Sequence, residues 1–291
     1  MRPLSGVARG LFWVILSGAV FVVFIVIVRL VGTSLNPVQV AFLRYGISVI
    51  LLVPMVYRQG VAVLYTRRPV RHAMRGGVHA LGVLLWFYAI TRIPIAEATA
   101  LSYTAPIFVI IGAAIFLDER LGLGTLAAVV GAFLGVLLIV QPGVVSIGSG
   151  SIAMLCSAPL FAASKLLVKT LVREDSSVTT VIYLSLFATL TMMIPAIMVW
   201  RSPTLLDLGL LSVAAVFATL SHLFLAQGLK FVDVSVAQPA EFLRLVWAAT
   251  LGFLLFDETP GFWVWIGSLV VVASVSFAAN MELKRAYGRR S

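Results

Sequence analysis

Long apolar runs alternate with short polar breaks from one end of the chain to the other. The runs fall at 11–31, 37–57, 73–91, 95–117, 124–141, 151–171, 177–200, 206–229, 235–256 and 261–281. A bilayer-spanning helix needs roughly 20 apolar residues, and each run is close to that length. The breaks carry turn residues, as in "GTSLNP" at 32–37, "QPG" at 141–143 and "GSGS" at 148–151. The pattern predicts an all-α polytopic membrane protein with ten transmembrane helices and no separate soluble domain.

Composition agrees. Of 291 residues, 61% are hydrophobic and 11% charged, whereas a soluble domain carries about a quarter of its residues as charge. The first run follows Arg2 and Arg9. It exceeds the usual 7–15-residue core of a signal peptide, so it is expected to stay as the first span. The single cysteine, Cys156, lies within an apolar run and is expected to be a small packing residue.

A formal charge of +10 would suggest nucleic acid in a soluble protein. Here most of the basic residues stand in the breaks, where they set orientation. With a cytoplasmic N-terminus, fifteen Lys and Arg fall on the inner side and only Arg29, Arg92 and Arg201 on the outer. The expectation is a bacterial-type inner membrane protein with both termini cytoplasmic. Its partners are the lipid bilayer and a small-molecule substrate, not nucleic acid. A monomer satisfies this reading.

Two of the breaks repeat a phrase. "IFLDERLG" at 115–122 and "LLFDETPG" at 254–261 place Asp118 and Asp257 139 residues apart. Sliding the chain by that amount lays 86–122 over 225–261 without a gap, and Pro54 meets Pro195 once loop lengths differ. Each copy holds five spans, an odd number, so the second enters the membrane upside down. The expected halves are 1–145 and 146–291, related as an inverted-topology repeat. Such a repeat implies alternating access around a site near the midplane.

The chain resembles the EamA family of the drug/metabolite transporter superfamily. The resemblance rests on Arg44 in "FLRYGIS", Pro106 in "LSYTAPIF", "FLDER" at 116–120, and Gly131 and Gly135. It implies ten helices in two EamA repeats and export of small metabolites, often amino acids. Leu245 stands where the second copy would repeat Pro106, and Thr259 replaces Arg120, so the second half is the less typical.

Charge at membrane depth is costly and usually faces a cavity or a partner. The residues at that depth are Arg44, Lys165, Glu241 and Arg244. Glu241 and Arg244 are three apart on one helix face, and mutual neutralisation is the first expectation for them. The alternative is that Glu241 handles a proton or an amino group. Lys165 either snorkels to the surface or lines a cavity. Arg44 reads as a structural anchor or a substrate contact. Three cations against one acid leave positive potential, which favours a substrate carboxylate.

His79 shares a face with Gly82, Val83 and Trp86, and His222 aligns with Val83 one turn away. The two histidines are expected to face one central space. Trp86 and Tyr103 are the aromatics whose depth suggests a cavity, which would suit an apolar or aromatic amino acid. The candidate substrate-binding set is thus His79, Trp86, Tyr103, Lys165, His222, Glu241 and Arg244, with Arg44 structural or substrate-contacting. No metal set forms at short spacing. The Asp-Glu pairs at helix ends are expected to be solvated loop charges, with gate contacts as the alternative.

No P-loop, zinc-protease or G-x-S-x-G signature occurs. No catalytic residue or cofactor is therefore expected, and a secondary carrier is the leading reading. A multidrug or cationic-compound exporter, and a non-transporting membrane enzyme or assembly subunit, are its rivals.

Overall fold

The computed structural model describes residues 4–31, 35–90, 92–93, 101–102, 104–119, 122–140, 148–256 and 261–288. Their regular structure is helical. The α-helices are α1 (Leu4–Val31), α2 (Pro37–Gln59), α3 (Pro69–Ile90), α4 (Ala105–Phe116), α5 (Leu123–Val140), α6 (Ser149–Leu171), α7 (Ser177–Met198), α8 (Leu205–Gly228), α9 (Val234–Phe256) and α10 (Phe262–Gly288), with one 3₁₀ turn at Val61–Leu64. Within a bilayer a helix satisfies every backbone group inside one segment, which is why a chain this apolar folds so. Among the described residues six helices, α1, α2, α3, α6, α7 and α8, are long and apolar enough to cross a membrane on length and composition alone.

The helix starts are written in the sequence. Asn36 caps α2 by accepting from Val38 N–H, and Ser176 caps α7 by accepting from Thr179 N–H. Thr204 and Asp207 form a reciprocal capping box at α8. Asp118 ends the α4 segment with φ 53°. Aspartate tolerates that left-handed conformation better than most residues.

The exterior is apolar. Ile50, Ile115, Ile194 and Leu269 are each about two-thirds exposed (68%, 65%, 68% and 66%), the arrangement expected where lipid is the surrounding medium. Trp200, Trp263, Trp265 and Phe12 are also exposed. Cys156 is exposed on α6 rather than packed inside, because the run that contains it turns that position outward.

Most of the packing joins the two parts of the chain. Helix α1 packs on α8 and α9; α6 packs on α3 and α4. Helix α2 pairs with α7, α5 with α10, and α4 with α9. Moving each index five places on converts these pairings into one another. Equivalent bonds mark both ends of the α2–α7 pair. Gln39 Nε2 donates to Arg201 O (2.6 Å) at one end, and Thr179 Oγ1 donates to Val63 O (2.6 Å) at the other.

Small residues make the tightest seam. A Cβ on Gly228 would lie 2.9 Å from Gly10 O, so α1 and α8 touch backbone to backbone. Two turns along, Ser17 Oγ donates to Ser221 O (2.8 Å) and Ser221 Oγ donates to Ser17 O (2.9 Å). With lipid outside, association rests on such packing and on interhelical hydrogen bonds.

Candidate functional site

Glu241 stands two turns into α9, about 10 Å from the helix start, and its side chain is 8% exposed. Its Oε2 accepts from Lys165 Nζ, reaching across from α6. Arg244 Nη2 lies 3.8 Å from the same oxygen. The acid's main partner is therefore Lys165, and the expected i,i+3 neutralisation by Arg244 is the longer contact. Lys165 turns inward instead of snorkelling, since an unpaired carboxylate at that depth costs far more than bending a lysine stem. Glu241 Oε1 is buried without a hydrogen-bond partner among the described residues, as is Arg244 Nε.

Arg244 also lies over the ring of Phe21 on α1, 4.7 Å from its centre. Gly18, one turn away, leaves the room: a Cβ there would sit 3.2 Å from Arg244 Cγ.

A second group adjoins the first. His79 Nε2 and Tyr45 Oη are 2.6 Å apart, and Ser164 Oγ lies 3.3 Å from His79 Nδ1. The rings of Phe161 and His222 meet His79 edge-on, with centres at 5.5 and 5.7 Å. The Arg44 guanidinium covers the Tyr45 ring at 3.5 Å. Its backbone carbonyl accepts from Ser48 Oγ, which in turn accepts from Thr219 Oγ1 on α8 (2.8 Å). Ser164 and Lys165 are neighbours on α6, so the histidine group and the carboxylate group share a wall. Helices α1, α2, α3, α6, α8 and α9 all contribute.

The structure thus brings Arg44, His79, Lys165, His222, Glu241 and Arg244 into one polar region. Trp86 lies apart, half-buried in an apolar cluster with Ala89, Ala153 and Met154. Tyr103 lies outside the described residues. Sequence reasoning passed over Tyr45, Ser164 and Phe161. Each had a signal: Tyr45 follows Arg44, Ser164 precedes Lys165, and Phe161 is one turn from it. Among the described residues no three His, Cys, Asp or Glu side chains could hold a metal.

Glu119 overturns one expectation. It is buried, not solvated, at 9% exposure. Its carboxylate accepts from Val234 N–H (2.9 Å), Ser235 N–H (3.1 Å) and Ser235 Oγ (2.7 Å), the first turn of the helix that carries Glu241. A carboxylate suits that position, where unpaired N–H groups and the helix dipole meet. The left-handed turn at Asp118 immediately precedes it. On the same end of the bundle, Lys169 is buried and its ammonium holds Leu229 O (2.7 Å) and Val232 O just past α8.

A cavity of about 470 Å³ opens at the opposite end, lined by Leu35, Asn36 and Met198–Arg201, away from the Lys165–Glu241 contact.

Comparison with known proteins decides the class. The EamA-like transporter family matches twice, at residues 8–141 and 148–279. The chain belongs to the EamA-like transporter family. Three relatives span nearly its whole length. The riboflavin transporter of Rhizobium johnstonii is 29% identical over 279 residues, 95% of this chain and 92% of its own. The S-adenosylmethionine uptake transporter of Rickettsia felis is 27% identical over 97% of this chain and 95% of its own. The pseudopaline exporter CntI of Pseudomonas aeruginosa is 28% identical over 94% and 97%. A solved crystal structure superposes with a TM-score of 0.79 at 17% identity, covering 97% of this chain and 99% of that one, a likeness of fold. This EamA-like protein is a multi-pass membrane transporter of small molecules, not an enzyme.

Proposed function

We propose that this EamA-like transporter is a secondary carrier that exports small amphipathic metabolites, apolar and aromatic amino acids first among them. It works by alternating access between two inverted five-helix halves, 1–145 and 146–291, that together cross the membrane ten times. The interchange of helix pairings on moving five places along the chain supports that arrangement. The excess of Lys and Arg at one end supports cytoplasmic termini.

One observation carries the substrate class: the buried Lys165–Glu241–Arg244 cluster, with Glu241 Oε1 and Arg244 Nε unsatisfied, beside the rings of Phe21 and Phe161. An α-amino acid brings the same two charges. Its carboxylate replaces Glu241 on Lys165 and Arg244, its ammonium replaces Lys165 on Glu241, and an aromatic side chain meets the rings. The swap leaves no buried charge uncompensated, which an incoming lone cation would do. A cationic-compound exporter needs Glu241 free, and here two cations hold it. S-adenosylmethionine carries the same amino-acid head, so it stands second in the series. On direction the relatives divide, one named for uptake and one for export, and outward movement is proposed with the exporter.

Counterflow in proteoliposomes tests this, with labelled phenylalanine, tryptophan, S-adenosylmethionine and riboflavin, with and without a pH gradient. Exchange of the aromatic amino acids above the empty-vesicle rate is expected. Lys165→Met should raise their KM far more than that of the matching amines lacking the carboxylate. Exchange of riboflavin alone would overturn the substrate class.

A further inference from the structure

The two mouths of the bundle are built from related positions but different chemistry. Arg68, His72 and Arg75 stand at i, i+4 and i+7, one face at the start of α3. Each reaches the other half of the chain. Arg68 Nε and Nη2 donate to Glu174 at 3.0 and 3.1 Å. His72 Nε2 meets Asp175 Oδ2 at 2.8 Å, and Thr66 Oγ1 donates to that same oxygen at 2.8 Å. Arg75 Nη1, buried, donates to Thr180 O at 2.7 Å. His72 is fully buried and its ring lies tilted by 30° against that of Tyr183, with ring centres 4.7 Å apart.

The slide of 139 residues that relates α3 to α8 puts Asp207, Leu211 and Ala214 at the corresponding places. Asp207 is engaged by its own cap residue Thr204. Leu211 and Ala214 carry no polar side-chain atom. Asp175 precedes the N-cap of α7, and Leu35 precedes the N-cap of α2. Leu35 and Leu211 share an apolar cluster with Val40. A hydrogen-bonded histidine–aspartate contact at one mouth thus corresponds to a leucine–leucine contact at the other, where the 470 Å³ cavity opens.

We propose that this three-rung clasp sets the resting bias of the carrier, holding the arginine-rich mouth shut while the opposite mouth, which has no such clasp at the corresponding positions, yields first. Opening the arginine-rich mouth must part α3 from the α6–α7 turn and break all three rungs. Opening the other mouth parts the Leu35–Leu211 contact and, among the described residues, the paired Gln39–Arg201 hydrogen bonds, which involve no charged side chain. The bias is a property of the chain without substrate and does not depend on which solute is carried.

The test uses a cysteine beneath the clasp. Leu184 is buried, one turn beyond Thr180 on α7. Leu184→Cys is placed in a Cys156→Ser background, the protein is reconstituted in nanodiscs without substrate, and the rate of labelling by a charged thiol reagent is read. His72→Leu with Asp175→Leu copies the Leu35–Leu211 pair and leaves neither partner unpaired. It is expected to raise the rate about tenfold, the ratio that about 1.4 kcal/mol of bias corresponds to. Arg75→Gln, a second variant at a separate rung, is expected to raise it in the same direction. Unchanged labelling in a variant that elutes as a single folded species overturns the clasp. Because no solute is present, that outcome says nothing for or against amino acids as cargo.

Discussion

The carboxylate of Glu119 accepts two hydrogen bonds from Ser235, one from its backbone and one from its hydroxyl. The residue that ends one half of the repeated acidic phrase thus ties down a helix from the other half, and that helix bears Glu241. Glu119→Ala removes three acceptances at once and leaves buried donors unmet. Losing a cap of this kind costs about 1–2 kcal/mol, and burying an unmet donor adds to it. The thermal midpoint in detergent should fall by several degrees, with Glu119→Gln intermediate because it keeps one acceptor. An unchanged midpoint for the alanine variant would remove the cap from the account.

Lys165 and Glu241 stabilise each other only as a pair. Removing one partner of a buried pair costs about 3–5 kcal/mol, whereas replacing both by apolar residues is often neutral. Lys165→Met and Glu241→Met should each lower the folded yield, and the double variant should recover much of it while remaining inactive in counterflow. A double variant less stable than either single one would show that the two residues act apart.

Ser17 and Ser221 exchange hydrogen bonds across the α1–α8 seam. A double-mutant cycle with alanine at both places should give a coupling energy of about 0.6–1.7 kcal/mol, the range for polar contacts between membrane helices. Additive losses would mean that the serines matter through size alone.

Adjacent glycines in α3 should respond in opposite ways. A Cβ at Gly76 would collide with Phe187 of α7, while one at Gly77 would meet nothing within 4 Å. Gly76→Ala is expected to cost about 1–3 kcal/mol through overpacking. Gly77→Ala should leave stability level or raise it by up to about 1 kcal/mol through helix propensity. Equal midpoints for the two variants would contradict the α3–α7 contact described above.

The Arg68–Glu174 rung is exposed on both sides. Hydrogen bonds from Arg68 hold the Glu174 carboxyl below its usual range. Its folded-state pKa is depressed, so its contribution is present above the ordinary carboxylate value and lost only as pH falls through the lowered one. Labelling of Leu184→Cys in a His72→Leu, Asp175→Leu background, divided at each pH by the rate for the same cysteine in the denatured chain to remove the thiolate's own titration, should therefore stay flat from pH 8 to pH 6. A rate that climbs across that window would place a different titrating group in the clasp.

Much of this was legible in the chain. Hydropathy marked the runs because a helix in lipid needs them to be apolar along their whole length, and the caps at Asn36, Ser176 and Thr204 fell at the breaks. Lys165, Glu241, His79 and His222 stood out because charge and imidazole are costly at that depth. Which of them pair was not legible. Helical spacing favoured Glu241 with Arg244, but the partner came from α6, and only the way the helices cross decides that. The clasp was overlooked for another reason. Arg68 and Arg75 were counted only as orientation signals and His72 was passed over, though their i, i+4, i+7 spacing already marked one helix face. Glu119 was misjudged because an acid next to a turn is ordinarily solvated. Nothing local announces that the turn is covered by α9.

The interlocking of the two halves bears on how the protein is made. Gly10 and Gly228 lie against each other in the finished fold, yet synthesis at roughly 5–20 residues per second separates their emergence by about 10–45 s. Through that interval α1 waits in lipid without the surface it is shaped for, Ser17 facing hydrocarbon or a chaperone. A ribosome that stalls after α5 leaves a fragment with few contacts of its own to defend, and membrane proteases should clear it quickly.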